Sequence, residues 1–329
     1  MRVQSLRMDM NMPINLRNKT SDFFSRWDIL CIAFGFLVLM ALIGMQRTTD
    51  FIIFCIYVLA YTLLYGYMGR LSFGHMLYLG TGAYAATLCA AYISKNPFLA
   101  LAFAIFAGLA IGLLLGPIIV RTTGACFALI NLAFNHVGYF LALVAFAKYT
   151  GGADGRSASF AKYGLFDFNN TPLKFWFALV CLIGVFFFLK KLTSSPYGVL
   201  IKSIKEDECR VQFLGYNTFL YKWVTFVIST TLSAFAGALT VLNYGYMTTG
   251  FIDPGRSIEV IFASLIGGPG SLYGALIGGV AYMIISNFIA IYIPRWEMFL
   301  GIVLLIIVFK FKTGVVGFIN DRIKNKINA

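Results

Sequence analysis

Apolar runs of about 20 residues recur along this chain, and a run of that length can cross the hydrocarbon layer of a membrane. Of the 329 residues, 60% are hydrophobic and only 12% are charged, so an ordinary soluble core cannot bury them. The pattern predicts an all-α, polytopic membrane protein with about 9–10 transmembrane or half-spanning helices. The predicted runs are 28–45, 51–68, 72–93, 98–120, 124–147, 173–190, 223–242, 258–267, 272–293 and 298–310.

The net charge of +13 comes from lysines and arginines that concentrate in three segments of the chain. Basic residues collect on the cytoplasmic side of membrane proteins, so these three segments and both termini are predicted to be cytoplasmic. This placement makes membrane lipid the expected surroundings and argues against nucleic acid as a partner. The predicted boundaries are a tail at 1–27, a membrane domain at 28–318 with a cytoplasmic loop at 190–222, and a tail at 319–329.

The polar stretch 190–222 predicts two short amphipathic helices that bend near Asp207. Ser195 and Pro196 are typical of an N-cap and a first helical position, and Gly215 supplies a C-terminal stop. An apolar stripe runs between them at helical spacing, and Asp207 interrupts it. We expect this segment to contact a partner, with Asp207 exposed at the rim of that contact. The stripe consists of Tyr197, Leu200, Ile204, Val211 and Leu214.

Two glycine-rich breaks, at 66–74 and 267–274, resemble each other. Glycine-interrupted membrane segments point to a transport pathway, because a helix that begins inside the membrane directs unpaired N–H groups into a cavity. The short run at 258–267 cannot cross the membrane alone, so it predicts a half-helix. Helix capping is the alternative role for the polar residues at these starts, which are Ser72, His75, Ser271 and Tyr273.

Asn131 and Asn135 lie one helical turn apart, beside His136, and are predicted to face the protein interior. An interhelical hydrogen bond explains such a pair as well as a solute contact does. Intramembrane carboxylates are scarce, with Glu259 the one strong candidate, and this scarcity argues against a proton- or sodium-coupled carrier.

Sequence signatures of catalysis are missing from the chain. No HExxH or P-loop pattern occurs, so the chain is not predicted to be an enzyme, and any ATP dependence must come from a partner subunit. The six cysteines stand singly without CxxC spacing, which predicts neither zinc nor disulfides, and no metal or cofactor is expected.

Five stretches together carry a specific resemblance. They are GYMGRLSFGHMLYLGTGAYAA at 66–86, RTTGACFALINLAF at 121–134, TGGADG at 150–155, SPYGVLIKSIKEDECRVQFLGYN at 195–217 and SIEVIFASLIGGPGSLYGALIGG at 257–279. The chain resembles the permease subunits of bacterial branched-chain amino-acid ABC importers, specifically their LivM-like members.

The resemblance implies a permease of the bacterial cytoplasmic (inner) membrane that works with a LivH-like second permease, two cytoplasmic ATP-binding subunits and an extracytoplasmic solute-binding protein. The outside loops 148–172 and 243–257 are its expected docking sites for that binding protein. The implied coupling residues are Ser203, Ile204, Glu206, Asp207, Glu208, Arg210, Leu214 and Gly215. The implied translocation path consists of Ser72, Gly74, His75, Asn131, Asn135, Gly267, Gly268, Gly270 and Ser271.

The solute stays open at this point. Cys126, Asn131 and Arg156 depart from the residue types common in the family, and related permeases move urea or other small amides. Branched-chain amino acids are the favoured solute. The alternatives are urea or another small amide, or an ATP-independent channel or secondary carrier.

Overall fold

The computed structural model describes residues 30–161, 168, 170–292 and 301. The chain divides between Thr48 and Thr49 into two compact units, and the first of them contains α1. The helices are α1 (Leu30–Ile43), α2 (Met45–Thr62), α3 (Met76–Leu88), α4 (Pro97–Ile119), α5 (Gly124–Phe140), α6 (Ala147–Thr150), α7 (Thr171–Ser194), α8 (Pro196–Glu206), α9 (Glu208–Phe213), α10 (Thr218–Tyr244), α11 (Ser257–Gly267) and α12 (Leu272–Tyr292).

Six of the described helices are long and apolar enough to cross a membrane, which confirms the all-α polytopic fold. Three of them, α2, α3 and α5, continue into a wider π-helical turn at Leu63–Tyr67, Cys89–Ile93 and Leu141–Ala145. Three predicted segments lie outside the described residues, apart from position 301. They are the tails at 1–27 and 319–329 and the run at 298–310.

The core is built around α2 and α10. Residues 55–64, in α2 and the start of the turn that follows it, are buried on every side, as expected of a helix that is apolar all round and enclosed by others. Helix α10 packs against both α3 and α4. Small residues make this packing close: Gly108 and Gly112 of α4 face Thr230 of α10, whose hydroxyl donates to the Gly108 carbonyl at 3.2 Å. Such small-residue faces let membrane helices approach each other.

Gly82 marks the closest approach between α3 and α10, because a Cβ atom there would lie 2.0 Å from the carbonyl oxygen of Ala234. We expect Gly82→Ala to lower the thermal unfolding midpoint of the purified protein, since forced overpacking costs about 1–3 kcal/mol. The matched control is Gly184→Ala in α7, where the added Cβ meets nothing within 4 Å. An equal midpoint in the two variants would contradict the close packing of α3 on α10.

Two predicted boundaries need correction. The run predicted at 72–93 begins as a helix only at Met76. Before that start, Gly74 approaches the carbonyl oxygen of Asn131 so closely that a Cβ would lie 1.9 Å from it. The run predicted at 51–68 begins at Met45, so Asp50 lies within α2 rather than in a loop. The predicted half-helix is confirmed as α11, whose 11 residues span about 16 Å of a hydrocarbon layer roughly 30 Å thick.

The loops 148–172 and 243–257, which are predicted to lie outside, are joined by a short antiparallel ribbon of β1 (Arg156–Ser157) and β2 (Tyr246–Met247). The Tyr246 hydroxyl also donates to the carbonyl oxygen of Asp154. The Arg156 guanidinium contacts Tyr92. It donates to the Tyr92 hydroxyl at 2.8 Å, and its central carbon lies 4.6 Å from the centroid of the Tyr92 ring. Segments nearly 90 residues apart in sequence therefore form one surface at this end of the molecule.

Candidate functional site

His75 lies at the centre of a buried group of polar and aromatic side chains. Its Nε2 atom is 2.8 Å from Ser233 Oγ and 3.4 Å from Ser229 Oγ, both on α10. Its ring stacks on Tyr57 of α2 at a centroid distance of 5.7 Å and meets Tyr78 edge-on at 5.3 Å. The break before α3 thus places His75 between α2 and α10, out of contact with solvent.

Ser257, at the start of α11, joins this group. Its Oγ accepts hydrogen bonds from the backbone N–H of Met76 at 3.2 Å and from Asn135 Nδ2 at 3.1 Å. Asn131, one turn earlier on α5, accepts from the Tyr78 hydroxyl at 2.6 Å. Both asparagines are buried, as the sequence predicts. The first residues of α3 and α11 therefore meet inside the protein, whereas His136 lies exposed on the other side of α5.

Four polar atoms around this meeting point have no hydrogen-bond partner among the described residues: Tyr57 Oη, Ser72 Oγ, His75 Nδ1 and Asn135 Oδ1. Leaving a buried polar group unpaired costs roughly 1–3 kcal/mol. Water or a polar ligand ordinarily supplies the missing bond at such a place. The meeting point is therefore polar and differs from an ordinary apolar core.

The two glycine breaks touch each other. A Cβ atom on Gly66 would lie 2.8 Å from the backbone nitrogen of Gly270, which has a φ of +107°. Ser271 Oγ accepts from the N–H of Gly274 at 2.9 Å, so this serine caps α12. Tyr273 is 41% exposed and packs on Phe186 of α7. The predicted path residues thus form one group around His75 and a second group of Gly267, Gly268, Gly270 and Ser271.

The polar segment 195–217 is attached to the turn that follows α2. Lys205 Nζ donates to the carbonyl oxygen of Gly66 at 2.8 Å, and its side-chain carbons lie against Gly69. Arg70 Nη2 lies 3.0 Å from Glu208 Oε2. Since Lys205 belongs to α8 and Glu208 to α9, both short helices hold the first glycine break.

Glu208 connects three parts of the chain. Its Oε1 accepts from Lys222 Nζ and from the Thr218 hydroxyl, both on α10, while its Oε2 pairs with Arg70. Burial raises the pKa of this carboxyl, but the hydrogen bond and charge of Lys222, with Thr218 and Arg70, outweigh burial and hold the pKa of Glu208 below its ordinary value.

The lowered pKa of Glu208 gives a pH dependence with a definite sign. The contribution of this carboxylate to stability is complete above the ordinary carboxyl pKa of about 4.3 and is lost as the pH falls through the lower folded-state value. We expect the thermal unfolding midpoints of the unaltered protein and Glu208→Gln to differ most near neutral pH and to converge in acid. A difference that does not change with pH would contradict this assignment.

The bend predicted near Asp207 is confirmed, but its cause differs from the predicted one. Asp207 is the N-cap of α9: its carboxylate accepts from the backbone N–H of Arg210 at 3.0 Å, which starts a new helix. Two residues of the apolar stripe face inwards, since Ile204 and Val211 are 5% and 3% exposed, whereas Leu214 at its end is exposed. Ile204 is therefore buried within the chain, and Glu208 is half-buried against Arg70 and Lys222. Their part in a partner contact stays a prediction.

The outward surface of the segment has an apolar tip. Phe213 is 92% exposed and Leu214 is 71% exposed, immediately before Gly215, which ends the segment's second helix with a φ of +85°. Phe213 was not singled out among the predicted contact residues, although it lies within the run 203–215 that contains them. The exposed predicted residues around this tip are Glu206, Asp207, Arg210, Leu214 and Gly215, and Ser203 is half-buried.

A cavity of about 120 Å³ lies at the other end of α2. We call it the outer cavity, because that end of the helix is predicted to lie outside. Asp50, Arg256 and Glu259 line it together with apolar side chains. Arg256 Nε is 3.0 Å from Glu259 Oε1, and Asp50 Oδ1 accepts from Asn243 Nδ2 at 2.6 Å. Sequence reasoning missed Asp50 because the predicted run began at 51, just after it, although Asp50, Phe54 and Tyr57 have helical spacing.

Residues 45–309 match the family described as "Branched-chain amino acid transport system / permease component". The match covers well over half of the chain and includes both glycine breaks, the His75 group and the polar segment. The chain belongs to this family of permease components. With its long apolar helices, this permease is a multi-pass membrane protein.

The permease is similar to several characterised proteins. It is 24% identical over 281 residues to the high-affinity branched-chain amino acid transport system permease protein LivM of Escherichia coli, covering 78% of this chain and 65% of the relative. It is 29% identical over 147 residues to the permease protein BraD of Pseudomonas aeruginosa, covering 44% of this chain and 47% of the relative. It is 26% identical over 224 residues to the ribose import permease protein RbsC of Haemophilus influenzae, covering 66% of this chain and 67% of the relative. No solved structure gives a significant match.

Proposed function

We propose that this permease forms half of the membrane core of an ATP-binding-cassette importer that moves leucine, isoleucine and valine by alternating access. It sits in a bacterial cytoplasmic (inner) membrane with both termini inside. A LivH-like permease completes the core, two ATP-binding subunits hydrolyse ATP on the cytoplasmic side, and an extracytoplasmic protein delivers the solute.

The observation that carries this proposal is the bond between Lys205 and the carbonyl oxygen of Gly66. It joins the cytoplasmic segment to the first glycine break, which in turn touches the second break at Gly270. A movement of the segment therefore acts on both breaks directly. Alternating access needs such a two-state element, biased from one side of the membrane.

The translocation route in this proposal follows α2. It begins at the outer cavity beside Asp50, passes Tyr57 and the buried group at His75, and ends at Gly66. Polar atoms without partners among the described residues lie midway along it, and water or solute completes their hydrogen bonds when the route opens. Solute-binding protein docks on the surface that β1 and β2 build at the outer end.

The test is leucine uptake into proteoliposomes that contain the complete importer, made from this permease, its second permease and its ATP-binding subunits, with the solute-binding protein outside. We expect uptake that requires both ATP and the binding protein. Leucine entry without ATP would overturn the proposal in favour of a channel or secondary carrier. Uptake of urea with no uptake of leucine would overturn the assigned solute.

A further inference from the structure

We propose that the outer cavity binds the charged head of an amino acid during import, with Asp50 holding the α-ammonium group and Arg256 the α-carboxylate. This inference rests on the proposed function and names the residues that would recognise its solute. A cavity of about 120 Å³ has room for a small solute, given that one water needs only about 10–15 Å³.

The charges of the lining suit a zwitterion. Two carboxylates, Asp50 and Glu259, face one guanidinium, that of Arg256. Glu259 already pairs with Arg256 at 3.0 Å. Asp50 is hydrogen-bonded to Asn243 and Tyr244 and has the positive charge of Lys174 nearby, but it forms no direct ion pair among the described residues, so it is the carboxylate available to a cation. Asp50 is oriented for this role by Asn243, which donates to one of its oxygens at 2.6 Å.

Arg256 is held at the edge of the cavity with donors to spare. Among the described residues its Nε bonds to Glu259 and its Nη1 to the carbonyl oxygen of Gly250 at 3.3 Å. A guanidinium has five N–H donors in a planar fork that suits a carboxylate. The group is thus positioned by the protein and still able to bind a second carboxylate.

The deep end of the cavity offers a further polar group and an apolar wall. Tyr57 is 2% exposed and lines the cavity, and its hydroxyl has no hydrogen-bond partner among the described residues. Its ring stacks on His75, so the cavity leads to the buried polar group. The aliphatic side chain of the solute has an apolar wall that includes Ile53, Phe54, Leu79 and Met283.

The experiment compares Asp50→Asn and Arg256→Gln in the complete reconstituted importer, with leucine as the solute. We expect each variant to reduce leucine uptake about tenfold, because each removes one partner of a buried charge contact. ATP hydrolysis stimulated by the leucine-loaded binding protein should stay near the unaltered rate, so that more ATP is used per leucine. Asp50→Glu, which keeps the charge, should recover part of the uptake.

The matched control is Lys95→Gln, which neutralises an exposed charged side chain that does not line the cavity. Unchanged ATP use per leucine in Asp50→Asn and Arg256→Gln would overturn the inference and leave the proposed function standing. Loss of stimulated ATP hydrolysis together with uptake would assign these residues to folding or assembly and overturn it as well. An unaltered importer that moves no leucine would overturn the proposed function itself.

Discussion

Replacing both Phe213 and Leu214 by serine is expected to weaken binding of the ATP-binding subunits about 30-fold or more, and to leave the permease folded. The two side chains are 92% and 71% exposed, so they contribute little to packing within the chain. Exposed aromatic and aliphatic residues at the centre of an interface contribute about 2 kcal/mol or more when they enter a pocket, which corresponds to roughly 30-fold in affinity. Binding of purified ATP-binding subunit to immobilised permease pairs measures the change.

The control for this pair is Ile93→Ser, which removes a side chain that is 59% exposed at the far end of α3. That change should leave the affinity for the ATP-binding subunit as it is. Equal affinity in the Phe213/Leu214 double variant and the Ile93 variant would show that the apolar tip is not the docking surface.

Lys205→Ala is expected to reduce leucine uptake about tenfold or more while ATP hydrolysis continues, an effect within the usual range of coupling between sites. Lys205 lies on the inner side of the segment, where it bonds to Gly66 and covers Gly69, so its loss should leave the apolar tip intact. The ATP-binding subunits would then still dock, but their movement would reach the glycine breaks poorly. Uptake and ATP hydrolysis are measured in the same proteoliposomes.

Lys191→Ala provides the matched control, because Lys191 is an exposed lysine at the end of α7. It should transport leucine at the unaltered rate. Should Lys205→Ala also transport normally, the bond to Gly66 would have no part in coupling. A parallel fall in uptake and ATP hydrolysis would instead place Lys205 in the docking of the ATP-binding subunits.

Patterns local in sequence predicted the fold well. Apolar run length located the membrane helices, and the shortness of 258–267 predicted the half-helix α11. Pro196, Gly215 and the charges between them predicted the two helices of the polar segment. These features depend on residues within a few helical turns of each other, so a single sequence contains their signal.

Contacts between distant parts of the chain could not be predicted from patterns that are local in sequence. Arg70 and Glu208 are 138 residues apart in sequence, and no spacing rule pairs them. The inward direction of the stripe at Ile204 was equally hidden, because an apolar face packs on a partner or on its own chain with the same pattern. Membrane helices add to the difficulty, since lipid is as apolar as a protein core and periodicity does not mark the inner face.

We expect the polar segment and the first glycine break to move as one body when ATP binds. Spin labels on Cys209 of α9 and on Leu71→Cys, with the exposed Cys31 and Cys126 replaced by serine, report the distance between them in the complete importer. We predict the same distance in the nucleotide-free and ATP-bound states, while the distance from Cys209 to a label on Ile93→Cys changes. If the distance between Cys209 and Leu71→Cys changed as much as the distance between Cys209 and Ile93→Cys, this expectation would be contradicted.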